Sequence, residues 1–299
     1  MACDSLLIWP SDGGGEARVA KRQSSSRPPA SAKNRLPPSK NRPPPTDNRP
    51  PPTENRPPPT ENPNFLLAAL PSADYARILP ELTVVPLTLK AVLHKPGEAL
   101  RHVYFPGGGF CSMLTVLEDG TMVEVATIGR EGVVGLSAVL DDGPTSSVTM
   151  VQGASDGCYR MAAEVFRREM DRRGPFLDMV THYAHALVGF IMQSTACNAV
   201  HNVEQRLARW LLTAHDHMRN DTFPLTQEFV AMMLGVARPT VAVVAAKLQK
   251  AGLITYHRGQ LTIVDREQLE AAACECYRTA ANLVAAVAQH GRAWRTGKR

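Results

Sequence analysis

Residues 225–264 constrain this chain more than any other stretch: LTQEFVAMMLGVARPTVAVVAAKLQKAGLITYHRGQLTIV. Thr226 suits a helix N-cap, because its hydroxyl can accept from a first-turn N–H, and Glu228 sits where the helix dipole favours an anion. Phe229, Val230, Met233 and Leu234 supply one apolar face. Gly235 stops this helix and permits a sharp turn. Three residues later a second helix begins with Pro239 in its first turn. Val241, Val244, Ala245 and Leu248 face inward, and Gly252 ends it. Residues 253–257 and 260–264 read as two strands that turn at Arg258-Gly259.

Helix, short glycine turn, helix and hairpin make a winged helix-turn-helix, whose second helix enters the major groove of duplex DNA. Arg238, Thr240, Val243 and Lys247 project from that helix, with Pro239 beside them and Thr226 and Gln227 opening the helix before it. Arginine binds guanine with two hydrogen bonds, and threonine reaches a base or a phosphate. Lys247, and His257 or Arg258 on the wing, suit phosphates, which set affinity without reading sequence. The alternative is an ordinary helical hairpin with a solvated basic face. The attached hairpin and the helix upstream argue against it.

Upstream, from about Val84 to Met161, short β-branched runs alternate with turns: 84–92, 103–105, 113–117, 122–127, 148–151 and 157–161. Asp119-Gly120 reads as a tight hairpin between two of them. Many short, evenly spaced strands predict an antiparallel barrel or jelly roll. Two short helices, 64–70 and 72–80, precede it. Pro175 opens a long helix in which Leu177, Val180, Ala184, Leu187 and Ile191 recur at heptad spacing. Such a seam predicts pairing with a second copy. Burial against the chain's own sheets is the alternative, for which Phe176, Tyr183, Val188 and Phe190 supply a broader stripe. Another helix runs from about Val203 to Met218, and Asp221 to Pro224 breaks it.

Residues 1–63 hold 15 of the 24 prolines and few large apolar residues, so they predict disorder. Asn-Arg-Pro-Pro-Pro-Thr followed by an acid starts at Asn41, Asn48 and Asn55, with a worn copy at Asn34. Such an array is a semi-rigid polyproline spacer or a docking site for a proline-reading partner. The formal charge is +4 over residues 1–63, −3 over 64–220 and +4 over 221–299. The basic C-terminal part fits a polyanion partner. The expected division is a tail at 1–63, a sensor domain at 64–174, a dimer helix at 175–202, a winged helix-turn-helix at 203–275, and a helix with a basic tail at 276–299.

On these residues the chain resembles the Crp/Fnr family of transcription regulators, over roughly residues 64–270. The family pattern falls on Thr226, Gly235, Arg238, Thr240, Leu248, Gly252, Leu253 and Ile254. The resemblance implies an α+β protein with a jelly-roll, cyclic-nucleotide-binding-like barrel as sensor, a long dimerisation helix and a C-terminal winged helix-turn-helix. It implies a palindromic operator, a homodimer, RNA polymerase as a further partner, and work in the cytoplasm. Two departures matter. The family's phosphate cassette falls on Gly135, Leu136, Ser137, Ser146 and Ser147, where Leu136 replaces the ribose-binding acid and Ser146 the phosphate-binding arginine. A buried phosphate without a cation is costly, so no cyclic-nucleotide cofactor is expected. In the recognition helix, Pro239 and Val243 replace polar residues, and Val243 can meet a thymine methyl instead.

No run of about 18 apolar residues predicts a membrane span. No P-loop, nucleophile elbow, zinc-protease motif or catalytic carboxylate pair occurs, so an enzyme is not expected. Gly107-Gly108-Gly109 lacks the Lys-Ser/Thr of a phosphate loop. The six cysteines are scattered and read as reduced thiols. Cys3 and Cys111 do not make the family's iron-sulfur set. Cys274 and Cys276, read as helical neighbours two apart, point to different faces and predict no shared metal. A metal- or redox-responsive regulator is the alternative function, with His182, His185, His201, His215 and His217 on or after the long helix. An interaction module acting through the proline repeats is the other.

Overall fold

The structure, a computed structural model, describes residues 62–136 and 144–295. The proline repeats and Ser137 lie outside them. The described residues begin inside the expected tail. Asn62 and Asn64 are buried, and Asn64 caps α1 (Phe65–Ala69) by accepting from the N–H groups of Leu66 and Leu67. Its amide donates to the carbonyls of Pro106 and Gly132, at 3.0 and 2.9 Å, which ties the entry to the sheets. α2 (Ser72–Ile78) follows.

Seven strands follow among the described residues: β1 (Thr83–Leu87), β2 (Val92–His94), β3 (His102–Pro106), β4 (Phe110–Val116), β5 (Met122–Ile128), β6 (Val148–Gly153) and β7 (Ser155–Ala162). The run expected at 84–92 is two strands, because Lys90 turns between them at φ 67°. Among the described residues the strands do not close into one barrel. They fall into two antiparallel sheets, ordered β1-β7-β3 and β2-β6-β4-β5, with only an isolated bridge from Tyr104 to Val134 beside them. Leu87, Val103, Phe105, Cys111, Ala126, Val151, Cys158 and Met161 belong to one shared core. The Asp119-Gly120 hairpin forms between β4 and β5, where Val116 pairs with Met122 and Gly120 takes φ 84°.

α3 (Ala163–Asp171) leads to α4 (Pro175–Val200). Here the expected seam is corrected. Val180 and Leu187 are buried in the chain's own core with Phe176, Tyr183 and Phe190, and Ala184 and Ile191 pack against that core. Leu177 is half-buried. The reason lies at the C-terminus. α9 (Cys276–Arg295) returns along α4 and α1 and also covers α4: Leu283 lies over Gly189, and the His182 and His290 rings stack at 3.8 Å. A side chain at Gly291 would collide with Ala69, so this glycine permits the close approach. The face of α4 left open carries Thr181, His185, Val188, Met192, Thr195 and Ala199, with Val188 55 % and Met192 67 % exposed.

Candidate nucleic-acid interface

α5 (Val203–Met218) opens the C-terminal module with a full capping box between Asn202 and Gln205. β8 (Thr222–Pro224) comes next, where the sequence predicted only a break. α6 (Gln227–Leu234) starts at Thr226, whose Oγ1 accepts from the N–H of Phe229, and ends at Gly235 with φ 60°. Arg206, buried on α5, donates to the carbonyl of Leu234, placing a cation at the negative end of α6. α7 (Arg238–Lys250) then runs at 108° to α6, the angle range of a helix-turn-helix.

α7 has two unlike sides. Val241, Val244, Ala245 and Leu248 are buried. Arg238, Pro239, Thr240, Val243 and Lys247 are exposed, Val243 by 60 %. The exposed set is the one the periodicity predicted. One member is engaged: Lys247 Nζ lies 3.3 Å from Glu204 Oε2, an exposed pair that a phosphate can displace at small cost. Thr226 is exposed with its hydroxyl in use as a cap, and Gln227 is half-buried.

The wing is β9 (Ile254–His257) and β10 (Gln260–Ile263), with β8 on the far side of β10. Gln260 pairs with His257, leaving Arg258 and Gly259 as a two-residue turn with φ 47° and 79°. Two positive φ values suit the right-handed twist of a hairpin, and they set the exposed Arg258 at its tip. The Tyr256 hydroxyl donates to the Leu225 carbonyl at 2.6 Å, fixing the wing to the start of α6. α8 (Arg266–Ala272) closes the module.

The module packs on the N-terminal sheets rather than standing apart. Phe110, Leu114 and Val148 share a core with Leu207, Trp210, Leu211, Phe229 and Met233. Trp210 meets Phe110 edge-on at 6.3 Å, and its indole N–H donates to Glu124 Oε1 at 2.9 Å. Ser112 Oγ donates to the other oxygen of Glu124. Burial pushes the Glu124 carboxyl up to about 7, against the pull of these donors and of Arg209. An unfolded glutamate titrates at about 4.3. Between these values the unfolded chain loses this proton and the folded chain keeps it. Glu124 therefore costs stability as pH rises from about 4.3 to about 7, and the cost is constant above. Glu124→Gln keeps an acceptor for Trp210 and is expected to flatten that slope, with a gain on the order of 3–4 kcal/mol at pH 8 and almost none at pH 4. Urea unfolding at the two pH values measures it. An unchanged slope would remove Glu124 as its source.

The expected effector cassette lies elsewhere. Gly135 takes φ 97° beside His94, Leu136 is buried, Ser147 is half-buried and Ser146 is exposed. A separate cavity of about 450 Å³ opens between β5, α4, α5 and α9, lined in part by Arg130, Glu131, Arg209 and His217. Its walls come from segments distant in sequence, Phe65 of α1 among them, so no local signal marks it.

The histidine alternative does not assemble as written. His185 is exposed, His215 binds Asp221 at 2.7 Å, and His217 stacks on Phe110. His201, however, converges with Cys197, Cys274 and Cys276. This corrects the expectation that Cys274 and Cys276 point apart. They do not share a helix: α8 ends at Ala272, Cys274 lies in the linker, and Cys276 opens α9.

Residues 205–272 match the Crp-like helix-turn-helix domain family. No curated protein sequence matches the chain. Among solved structures, a protein described as a transcriptional regulator of the Crp/Fnr family from Eubacterium rectale aligns with TM-score 0.57 at 19% identity, covering 71% of this chain and 99% of its own. FixK2 from Bradyrhizobium japonicum aligns with TM-score 0.54 at 14% identity, covering 64% and 98%. A CRP-family transcriptional regulator from Thermus thermophilus gives TM-score 0.54 at 20% identity, covering 63% and 95%. The chain thus carries a Crp-like helix-turn-helix domain within the fold of Crp/Fnr regulators. No single helix among the described residues is long and apolar enough to cross a membrane.

Proposed function

We propose that this chain, built around a Crp-like helix-turn-helix domain, regulates transcription as a homodimer on a palindromic operator. The observation that carries the reading is the division of α7: an apolar side held in the module core, and Arg238, Thr240, Val243 and Lys247 held outward. Inserted in the major groove, Arg238 reads a guanine and Thr240 a base or phosphate, while His257 and Arg258 on the wing meet the backbone. The two copies meet through the open face of α4, placing the recognition helices about one helical turn of DNA apart. RNA polymerase is the further partner, and the cytoplasm the place of action.

The effector is not a cyclic nucleotide in this reading. Leu136 is buried where a ribose hydroxyl would need an acid, and Ser146 offers a phosphate no charge. Isothermal titration with cyclic AMP and cyclic GMP is expected to give no heat, and binding of either would overturn this part.

Selection of bound duplexes from a random pool tests the function itself. An enriched palindrome is the expected result. Arg238→Ala should then weaken binding to that sequence by about 10- to 150-fold, the worth of one bidentate base contact, and leave random duplex binding nearly unchanged. Equal losses on both would make Arg238 a phosphate contact.

A further inference from the structure

We infer that Cys197, His201, Cys274 and Cys276 form a tetrahedral site for one thiophilic divalent cation, zinc by its donor set, which fastens the joints between the DNA-binding module and the rest of the chain. The bracing role rests on the DNA-binding reading of that module; the metal site itself does not.

Geometry comes first. One ligand atom from each of the four residues lies within 4.8 Å of all the others. Cys197 Sγ and Cys274 Sγ are 3.5 Å apart, and Cys276 Sγ and His201 Nδ1 are also 3.5 Å apart. A tetrahedral zinc ion with bonds of about 2.3 Å to sulfur and 2.0 Å to nitrogen holds its ligands about 3.5–3.8 Å from one another. The site therefore needs to contract by about 1 Å at its widest pair. Separate irons bridged by sulfide would spread the cysteines further, so a single ion fits better.

Placement is equally specific. Cys197 and His201 are four apart at the end of α4 and share one helical face. Their partners arrive from the linker after α8 and from the first residue of α9. All three cysteines are buried together. Three thiolates and a neutral imidazole are the donors of closed structural zinc sites. Binding would release three thiol protons to solvent and form three S–M bonds and one N–M bond. The complex would carry one net negative charge, and Arg206 and Arg209 stand within electrostatic reach of the thiols.

The surroundings supply an independent observation. The ring nitrogen of His201 that faces away from the cluster, Nε2, lies 3.2 Å from Glu275 Oε2. A carboxylate holding the distal nitrogen is the usual partner of a metal-bound histidine, because it fixes the tautomer and raises basicity. Gln193 Nε2 donates to Cys276 Sγ at 2.9 Å, as a sulfur bearing negative charge would require.

The role follows from where the chain passes. It enters the module at His201-Asn202, between α4 and α5, and leaves it at residues 273–276, between α8 and α9. Both passages contribute ligands. One ion would close them into a single joint, and its loss would free the module to re-aim.

The test uses the full-length chain, stripped of metal under reducing conditions and titrated with cobalt(II), without DNA. The expected result is one equivalent per chain, with thiolate-to-cobalt charge transfer and the intense visible bands of tetrahedral cobalt, displaced by zinc. Cys274→Ser should lose the site. Should that variant fail to fold, Glu275→Gln, altered at an exposed side chain, should keep the bands and weaken affinity by about 10- to 100-fold. Zinc should raise hydrogen-exchange protection at residues 197–202 and 273–277. Absence of thiolate bands, affinity unchanged in Glu275→Gln, or a Cys197–Cys274 disulfide in protein isolated anaerobically would overturn the proposal. Protection unchanged by bound zinc would overturn the bracing role alone. Fluorescence anisotropy on a duplex, run separately, reports the DNA-binding reading: metal without DNA binding sinks that reading and the role built on it, and leaves the metal site standing.

Discussion

Trp210→Ala lowers the free energy of unfolding by about 3–5 kcal/mol, the cost of emptying a fully packed aromatic site. The indole is buried between the sheet of β4 and β5 and the C-terminal module, edge-on to Phe110 and bonded to Glu124. Its loss opens a cavity and also leaves a buried carboxyl oxygen without its donor. Trp210→Phe separates these effects: most of the packing stays and only the hydrogen bond goes, for about 1–3 kcal/mol. Denaturant unfolding of the two variants supplies the measurement. If Trp210→Ala shifts the midpoint by less than Trp210→Phe, the two units are not docked through this residue.

On the proposed pairing through α4, the double variant Val188→Asp, Met192→Asp should leave only monomers and weaken operator binding by about 100- to 10,000-fold, the gain that bivalency confers. Both side chains stand open on α4, in a row whose spacing, four and three by turns from Thr181 to Ala199, is that of a two-helix seam. In that pairing, charges placed there would meet their own copies across the two-fold axis. Leu187→Ala provides the contrast. Leu187 is buried in the chain's own core, so the variant should lose about 2–5 kcal/mol of folding stability and keep its association state. Analytical ultracentrifugation distinguishes the two. Dimers that survive the aspartates would move the interface elsewhere.

α7 was legible because one local rule decides it. Within 13 residues, a period of 3.6 sorts Val241, Val244, Ala245 and Leu248 from Arg238, Thr240 and Val243, and two glycines mark the ends. The long helix was legible as a helix but not as an interface. Apolar residues occupy more than one of its faces, and periodicity says that a face is covered without saying by what. α9, over 70 residues further on, supplies one of the covers. β8 is three residues long, too short to show an alternation. The two sheets were legible strand by strand, but which strands pair, and that they form two sheets among the described residues, depends on distant segments. The cluster of Cys197, His201, Cys274 and Cys276 escaped for a related reason. Cys274 and Cys276 were read on a continuous helix, and Ala273, whose φ and ψ are extended, breaks it between α8 and α9.

Because α9 returns to lie along α4, the module is held by two tethers whose attachment points sit side by side. A body leashed once can tumble through a cone of orientations. Leashed twice at neighbouring points, it turns about the line joining them, as a gate turns on paired pins. On the proposed reading as a regulator, a change in the sheets would need to set only an angle of swing, and Trp210, packed on Phe110 and bonded to Glu124, would hold one end of that arc.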